Sequence, residues 1–148
     1  MSYPAEADFA IVKVGDGAGP EVFTIACGIE NVQVNRTANT SSRFTRDCAK
    51  PGEVPVRRTK TTGKQLDITA DGLTNVPDID AFEDLLGVKN NYKIELYADD
   101  DTDTGELLGT FAGNFIMTTA NLNLPRNDNS ASEVAFENNG PWTWTAAP

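Results

Sequence analysis

Residues 78–86 read DIDAFEDLL and predict a helix, the only convincing one in a chain that otherwise shows the patterns of strands. Its apolar residues lie at helical spacing on one face, opposite the acids; they are Ile79, Phe82, Leu85 and Leu86. Pro77 suits the first turn, and Gly87 can end the helix in a left-handed conformation. Because about three turns are too few for a helix to be stable alone, we expect its apolar face to lie on a sheet.

Strands with alternating apolar and polar residues flank the helix on both sides, at 66–70 and 92–97. Further strands are predicted at 9–14, 21–26, 29–36, 107–118, 132–137 and 142–145, and the alternation of the strand at 107–118 continues from 120 to 124. Turn-forming residues separate them at 15–20, 99–106, 125–129 and 138–141. About seven to nine short strands around one helix predict a mainly β fold, a β-sandwich or barrel with the helix packed on its outside.

A length of 148 residues favours a single domain spanning 1–148, because it suffices for one core and is short for two. The apolar content of 39% is low for a compact domain, so we expect part of the chain to add little to the core until a partner covers it. Residues 1–8 are expected to form a loose lead. No apolar run approaches about 18 residues and no secretory signal is recognised, so we expect synthesis in the cytosol and no membrane span.

The regular pattern stops at residues 37–63, which are rich in Thr, Ser, Asn, Arg and Lys. This stretch contains few large apolar residues beyond Phe44, Val54 and Val56. A stretch of 27 residues without regular structure is uncommon inside a compact domain and is usually functional or disordered. We therefore predict a long, flexible, β-hairpin-like excursion from the sheet that becomes ordered only against a partner.

Charge is distributed unevenly along the chain, which carries −10 in total. Between Arg36 and Lys64, eight basic residues accompany two acids, Asp47 and Glu53, a balance of +6 that leaves −16 for the rest. Opposite charges on the excursion and the body favour association of identical copies in a fixed orientation. The residues predicted to make this contact between copies are Arg36, Arg43, Phe44, Arg46, Lys50, Arg57, Arg58, Lys60 and Lys64.

The sequence offers little for catalysis. It has no histidine, which removes the usual general base and the commonest zinc ligand. It also has no Gly-rich phosphate loop and no nucleophile elbow. Cys27 and Cys48 lack a CxxC spacing, and two free thiols are favoured over a disulfide in a reducing compartment. We therefore predict no enzymatic activity, no cofactor and no metal centre.

The acidic stretch 99–106 has two interpretations. Alternating acids can surround Ca²⁺, and an EF-hand loop starting at Asp99 would supply its first ligands from alternate positions. The spacing does not fit, because Gly105 comes one place late for that loop and no glutamate occupies its twelfth position. A solvated hairpin turn is therefore favoured over a calcium site.

Two other features could bind ligands. The basic stretch could contact nucleic-acid phosphates, but it has one aromatic residue, Phe44, rather than a stacking series, and it belongs to an acidic chain. Contact with an acidic protein surface explains it at least as well. Trp142 and Trp144 lie on one face of the last strand and could stack on sugars or bases, but a role in sealing the core or a subunit interface is favoured.

The order of elements resembles the major tail proteins, or tail tube proteins, of long-tailed bacteriophages. The resemblance rests on an N-terminal hairpin, a polar excursion after the third strand, and the strand KQLDITADGL at 64–73. It continues through the helix at 78–88, the strand at 92–97 and the strand GTFAGNF at 109–115. It covers about residues 9–145.

The resemblance implies a β-sandwich or barrel whose subunits form hexameric rings, with the sheets of six copies joined around a central channel. Stacked rings would form a tube in the virion, assembled in the host cytoplasm, that conducts double-stranded DNA without binding it specifically. Residues 37–63 would be mobile in the free subunit and ordered between stacked rings, and part of the acidic surplus would line the channel. The further partners implied are tail tip, terminator and tape-measure proteins, with no membrane and no catalysis.

Two alternatives stay open. One is a sugar-binding or decoration β-sandwich module of a virion or cell surface that uses Trp142 and Trp144. The other is the tube protein of a secretion system, which would share the ring architecture and differ in its partners. Self-association separates the first alternative from a tube protein, because a tube protein polymerises into tubes of uniform width.

Overall fold

The computed structural model describes Pro4 and residues 6–148, so residues 1–3 and 5 of the expected loose lead lie outside the described residues. The described part contains seven strands and one helix, in this order: β1 (Phe9–Gly15), β2 (Phe23–Ile25), β3 (Ile29–Thr45), β4 (Val56–Leu73), α1 (Val76–Leu85), β5 (Lys89–Ala98), β6 (Glu106–Asn123) and β7 (Ala131–Ala146). The fold is therefore mainly β with one flanking helix, as the sequence predicts.

All seven strands belong to one antiparallel sheet, in the order β2-β1-β5-β6-β7-β4-β3. Strands far apart in this order contribute to the same buried cluster, which includes Val12 from β1, Ile94 from β5, Phe115 from β6 and Leu66 from β4. A flat sheet could not bring β1 and β4 to one core, so the sheet is rolled around it. This rolling gives the sandwich-like or barrel-like body that the strand pattern predicts.

Helix α1 begins two residues before the predicted start and has Pro77 in its first turn. Phe82 and Leu85 pack against the buried cluster, although no residue of α1 is fully buried. The chain then leaves the helix through Gly87, which has a φ of 77°. Gly87 donates its amide proton to the Met117 carbonyl at 2.8 Å, so the end of the helix is attached to β6.

Two glycines are required by close approaches in the body. A Cβ atom on Gly72 would lie 1.8 Å from the carbonyl oxygen of Gly28, where β3 and β4 begin to pair. A Cβ atom on Gly109 would lie 2.2 Å from the ring of Trp144, which packs across that position from β7. Both sites therefore exclude any larger residue unless the neighbouring groups move.

Residues 37–63 are more regular than the sequence predicts. The expected absence of regular structure is wrong, because β3 and β4 pair continuously from the body out to Thr45 and Val56. The polar composition misleads here: β-branched threonine favours strands, and backbone pairing needs no apolar side chains. One register shift follows Asn39, where the Thr62 hydroxyl donates to the Asn39 carbonyl at 3.1 Å. The predicted outline of a long β-hairpin is confirmed.

One predicted turn is also absent from the described structure. The segment at 138–141 is a bulge inside β7 rather than a turn, since β7 remains paired with β6 on both sides of it. Gly140 takes a φ of 97° there, and the Asn138 side-chain amide donates to the Gly140 carbonyl at 3.0 Å. The long strand predicted at 107–118, with its continuation at 120–124, is the single strand β6, with a register shift after Met117.

The predicted strand at 21–26 is shortened to β2 because the preceding turn extends into it. The Asp16 carboxylate accepts hydrogen bonds from the amides of Ala18, at 3.0 Å, and Val22, at 3.2 Å. The Glu21 carboxylate accepts one from the Gly17 amide at 3.0 Å. These side-chain contacts replace the strand pairing that the alternating pattern predicts.

Candidate functional site

The hairpin formed by residues 37–63, called the arm below, stands clear of the body. Every side chain from 35 to 44 and from 56 to 62 is exposed. Of the predicted contact residues, Arg43, Phe44, Arg57, Arg58 and Lys60 lie on the strands of the arm, Arg46 and Lys50 in its end turns, and Arg36 and Lys64 at its base. The arm therefore presents its cations to solvent rather than to its own subunit.

Cations oppose each other across the arm. Arg43 is directly opposite Arg58 in the strand register, and like charges in this position destabilise a hairpin. Among the described residues, the one ion pair joins Lys13 and Glu95 in the body. Within the described part of the subunit, the positive charges of the arm are therefore not compensated by salt bridges.

The end of the arm, residues 44–56, is called the tip below and is unusually apolar for an exposed hairpin end. Phe44 is 73% exposed, Val54 80% and Val56 59%. Local hydrogen bonds hold the turns between them: the Arg46 guanidinium donates to the Pro51 carbonyl at 2.8 Å, and Asp47 accepts from the Ala49 amide at 2.9 Å. The tip thus combines a defined shape with apolar groups that its own subunit leaves uncovered.

A second surface, called the polar face below, covers the side of β3, β4 and β7 that points away from the core. Its polar residues alternate with the buried ones, and they are Asn31, Gln33, Asn35, Asp67, Thr69, Asp71, Glu133 and Glu137. Asp67 lies directly opposite Glu137, and Asp71 lies directly opposite Glu133. These facing carboxylates concentrate negative charge on the polar face, and they repel each other.

The sheet has two free edges beside these long strands. β3 is the last strand in the order, so its outer backbone groups have no strand partner among the described residues. β5 pairs with β6 only as far as Ile116, and from residues 118 to 123 β6 has a strand neighbour on one side. Unpaired edges of this length are sites where another chain can add a strand.

The body contains one compensated group of charges. The Lys13 ammonium lies 2.8 Å from a carboxylate oxygen of Glu95, and the Tyr97 hydroxyl donates a hydrogen bond to the same carboxylate. Burial opposes ionisation of Glu95, but the hydrogen bonds from Lys13 and Tyr97 and the charges of Lys13 and Lys93 outweigh it, so the pKa of Glu95 is lowered. Burial and the neighbouring carboxylate raise the pKa of Tyr97 to about 12.

The two tryptophans occupy one face of β7, as predicted. Trp142 packs against the buried cluster, and the Trp144 ring lies 4.7 Å from the Phe111 ring, measured between centroids. At the base of the arm, the Arg36 guanidinium lies over the Phe111 ring, 5.6 Å from its centroid. Trp142 therefore covers part of the core, whereas Trp144 is 47% exposed, so a role for Trp144 in an interface stays a prediction.

The acidic stretch at 99–106 forms the turn between β5 and β6, as predicted. Its carboxylates accept hydrogen bonds from their own backbone: Asp99 from the Asp101 amide at 3.0 Å, and Asp100 from the Thr102 amide at 3.1 Å. Among the described residues, no group of three or more His, Cys, Asp or Glu side chains is placed to hold a metal ion. Cys27 and Cys48 are both exposed and free.

Helix α1, the one helix in the described part of the chain, lacks the length and apolar character needed to cross a membrane.

Comparison with known proteins gives matches among solved structures. No protein-family model matches the chain, and no curated protein sequence matches it. A chain of the sheath–tube complex of a PVC extracellular contractile injection system matches with a TM-score of 0.65 and 18% identity, over 99% of this chain and 95% of that chain. A chain of the tail of an empty gene transfer agent particle, solved with C6 symmetry, matches with a TM-score of 0.64 and 17% identity, over 92% and 95%.

The chain has the tail-tube fold. A chain of the sheath/tube terminator of a PVC injection system also matches, with a TM-score of 0.63 and 17% identity over 99% of each chain. The resemblance predicted from the order of elements is therefore confirmed at the level of the fold. The sequence did not reveal the cross-strand acid pairs of the polar face or the free edge of β6, because both depend on strand register.

Proposed function

We propose that this chain is the structural subunit of a phage-like tail tube, with six copies per ring and rings stacked into a conduit for double-stranded DNA. The observation that supports this proposal most strongly is the exposed arm. Its cations repel each other and its tip is apolar and uncovered, so both would be stabilised by contact with the acidic body of a second copy. The tail-tube fold and the C6 symmetry of one similar structure support a six-fold ring. The chain would act as one domain, with residues 37–63 as a flexible stacking arm.

The two free edges are suited to join neighbouring copies in the proposed ring. Within one subunit, the edge of β3 and the edge of β6 at residues 118–123 lie on opposite sides of the four neighbouring strands β6, β7, β4 and β3. The β3 edge of one copy can therefore pair with the β6 edge of the next copy. Pairing between them is head-to-tail, and such contacts close into rings when the rotation between copies is a simple fraction of a turn. A ring built in this way would continue one sheet through all of its copies.

The polar face is suited to line the proposed channel. In a ring whose long strands form one continuous sheet, one side of that sheet lines the interior. We assign the polar face to the interior, since its amides and carboxylates suit an aqueous lumen and the opposite side holds the core. The acid pairs Asp67 with Glu137 and Asp71 with Glu133 would then repel DNA phosphates and keep the duplex from adhering during passage.

Partners and location follow from the same proposal. The similar structures include chains of a sheath–tube complex, a tube terminator, a tube cap and a baseplate. We propose corresponding contacts at the ends of this tube, with a tape-measure protein inside it before DNA enters. The protein would be assembled in the host cytoplasm, reside in the virion tail and have no catalytic role.

Electron microscopy of the purified protein over a range of concentrations tests the proposal. We expect monomers when the protein is dilute, with sharp NMR signals for residues 37–63, and tubes of uniform width when it is concentrated or seeded. Monomers at every concentration would overturn the proposal. Sugar-dependent quenching of tryptophan fluorescence in such monomers would favour the decoration module that uses Trp142 and Trp144.

A further inference from the structure

A groove between helix α1 and the sheet lies at the end of the body opposite the arm. It has a volume of about 70 Å³ and is lined by Ile79, Phe82, Glu83, Leu86, Ala120, Asn121, Leu122, Ser132 and Val134. The strand register fixes its position: Leu73, the last residue of β4, pairs with Ala131, and Ala131 pairs with Asn123. The groove therefore sits near the end of β4, whereas the tip adjoins the beginning of that strand at Val56.

The groove combines apolar lining with an acidic rim. Leu86 and Leu122 line it, and each is 44% exposed, so its apolar surface is open to solvent. The adjoining surface of α1 carries Asp80, Glu83 and Asp84, all exposed, and the last turn of the helix has no basic residue. The site therefore suits an apolar group accompanied by positive charge.

The tip has the complementary composition. Its exposed apolar residues are Phe44, Val54 and Val56. The tip and the strand residues that adjoin it, 43–58, hold five basic residues against the acids Asp47 and Glu53, a balance of +3. The polar face could attract the cations, but its hydrogen-bonding groups would leave the three apolar side chains uncovered. The groove offers both kinds of contact, so it is the better receptor for the tip.

We propose that the tip of the arm in one copy docks into the groove beside α1 of the next copy along the tube. This inference rests on the proposed tube and names the surface that receives the arm. Because tip and groove lie at opposite ends of β4, a translation along that strand brings the tip of one copy towards the groove of the next. The contact is head-to-tail and can repeat without limit, as a stack of rings requires.

The length of the arm is sufficient for this contact. The strand from Val56 to Lys64 has eight steps, and at a rise of about 3.3 Å per residue it spans about 26 Å. Its side chains from 56 to 62 are all exposed, so no contact with its own body needs to break before docking. The arm is therefore long enough to bridge the boundary between two stacked copies.

Thiol crosslinking within assembled tubes tests this docking. Replacing Cys27 by serine leaves Cys48, which lies in the tip, as the one thiol of the chain. A second thiol is then placed in the groove by Leu122→Cys or, as a matched control, at the other end of the same strand by Leu107→Cys. Leu107 is 38% exposed and is thus comparable to Leu122. Tubes of each variant are treated with a short bismaleimide and analysed on a denaturing gel.

We expect the Leu122→Cys tubes to give a ladder of linked chains, while the Leu107→Cys tubes stay largely as single chains. Tubes of normal appearance in which Leu122→Cys gives no ladder, or Leu107→Cys gives an equal one, would overturn the docking and leave the proposed function standing. Internal crosslinking in dilute monomers would also overturn it, because the tip would then occupy its own groove. Failure of the parent protein to form tubes would overturn both proposals.

Discussion

The two halves of β4 have the same backbone structure and opposite environments. In the half nearer α1, Leu66 and Ile68 are fully buried and Ala70 is nearly so. In the half that belongs to the arm, every side chain from 56 to 62 is exposed. The first half is held by the core of its own subunit, whereas the second is held by pairing with β3 alone.

The comparison shows that a sequence can specify a strand without providing the buried contacts that stabilise it. Threonine-rich alternation and a paired neighbour are enough to define the hairpin of the arm. Ordering each residue costs about 1–2 kcal/mol of backbone entropy, and an exposed two-stranded hairpin buries little apolar surface to offset that cost. We therefore expect the arm to gain most of its stability from a second copy, and the body to be stable without one.

The largest effect is expected from reversing charge in the arm. The double substitution Arg57→Glu and Arg58→Glu changes four units of charge per subunit and turns attraction to an acidic neighbour into repulsion. We expect no tubes by electron microscopy at concentrations where the parent protein forms them. The free energy of unfolding of the monomer should stay within about 1 kcal/mol of the parent value, because both side chains are exposed.

A reversal of the same size on the body is the control for this experiment. Lys89 and Arg126 are both exposed and lie outside the arm. The pair Lys89→Glu and Arg126→Glu should leave tube formation intact if the position of the charge matters. Equal loss of assembly in both double variants would show that net charge alone acts, and normal assembly of the Arg57 and Arg58 variant would exclude the arm as the stacking contact.

A smaller effect, on stability, is expected to distinguish the two halves of β4 directly. Ile68→Ala removes a fully buried side chain and should lower the free energy of unfolding by about 2–5 kcal/mol. Thr59→Ala changes an exposed residue of the same strand and should alter it by about 0.5 kcal/mol or less. Urea unfolding of the dilute monomer measures both. Similar losses in the two variants would mean that the arm is packed against its own subunit.

The same two halves show how far the sequence predicts this structure. Period-two alternation of large apolar residues predicts the inner half of β4, because Leu66, Ile68 and Ala70 all face one core. It fails for the outer half, because a strand exposed on both faces has no apolar alternation to detect. Sequence patterns likewise predict a turn at Gly140 where the structure has a bulge, because Asn, Gly and Pro cluster in turns and in bulges alike.

The candidate surfaces were predictable to different degrees. The basic arm is continuous in sequence, so its charge balance identifies it without a structure. The groove is assembled from α1, β6 and β7, and its position relative to the tip depends on strand register. Sequence patterns locate the apolar face of the helix but do not show which part of that face remains uncovered.

A smaller loss of stability than that of Ile68→Ala is expected when a compensated charge inside the body is removed. Glu95→Gln removes the carboxylate that Lys13 and Tyr97 contact, which should lower the free energy of unfolding at pH 7 by about 1–3 kcal/mol. The pKa of Glu95 is lowered from its ordinary value of 4.5 in the folded state, so its stabilising effect is present above pH 4.5. That effect is lost as the pH falls through the folded-state pKa.

Urea titrations at several pH values should therefore show the stability difference between the parent protein and Glu95→Gln shrinking as the pH drops below 4.5. A difference that stays constant over that range would mean that Glu95 acts through packing rather than charge. Acid should thus weaken the body through Glu95, so a loss of tubes near pH 4 would point to the contact between copies only if the same titration shows the monomer still folded at that pH.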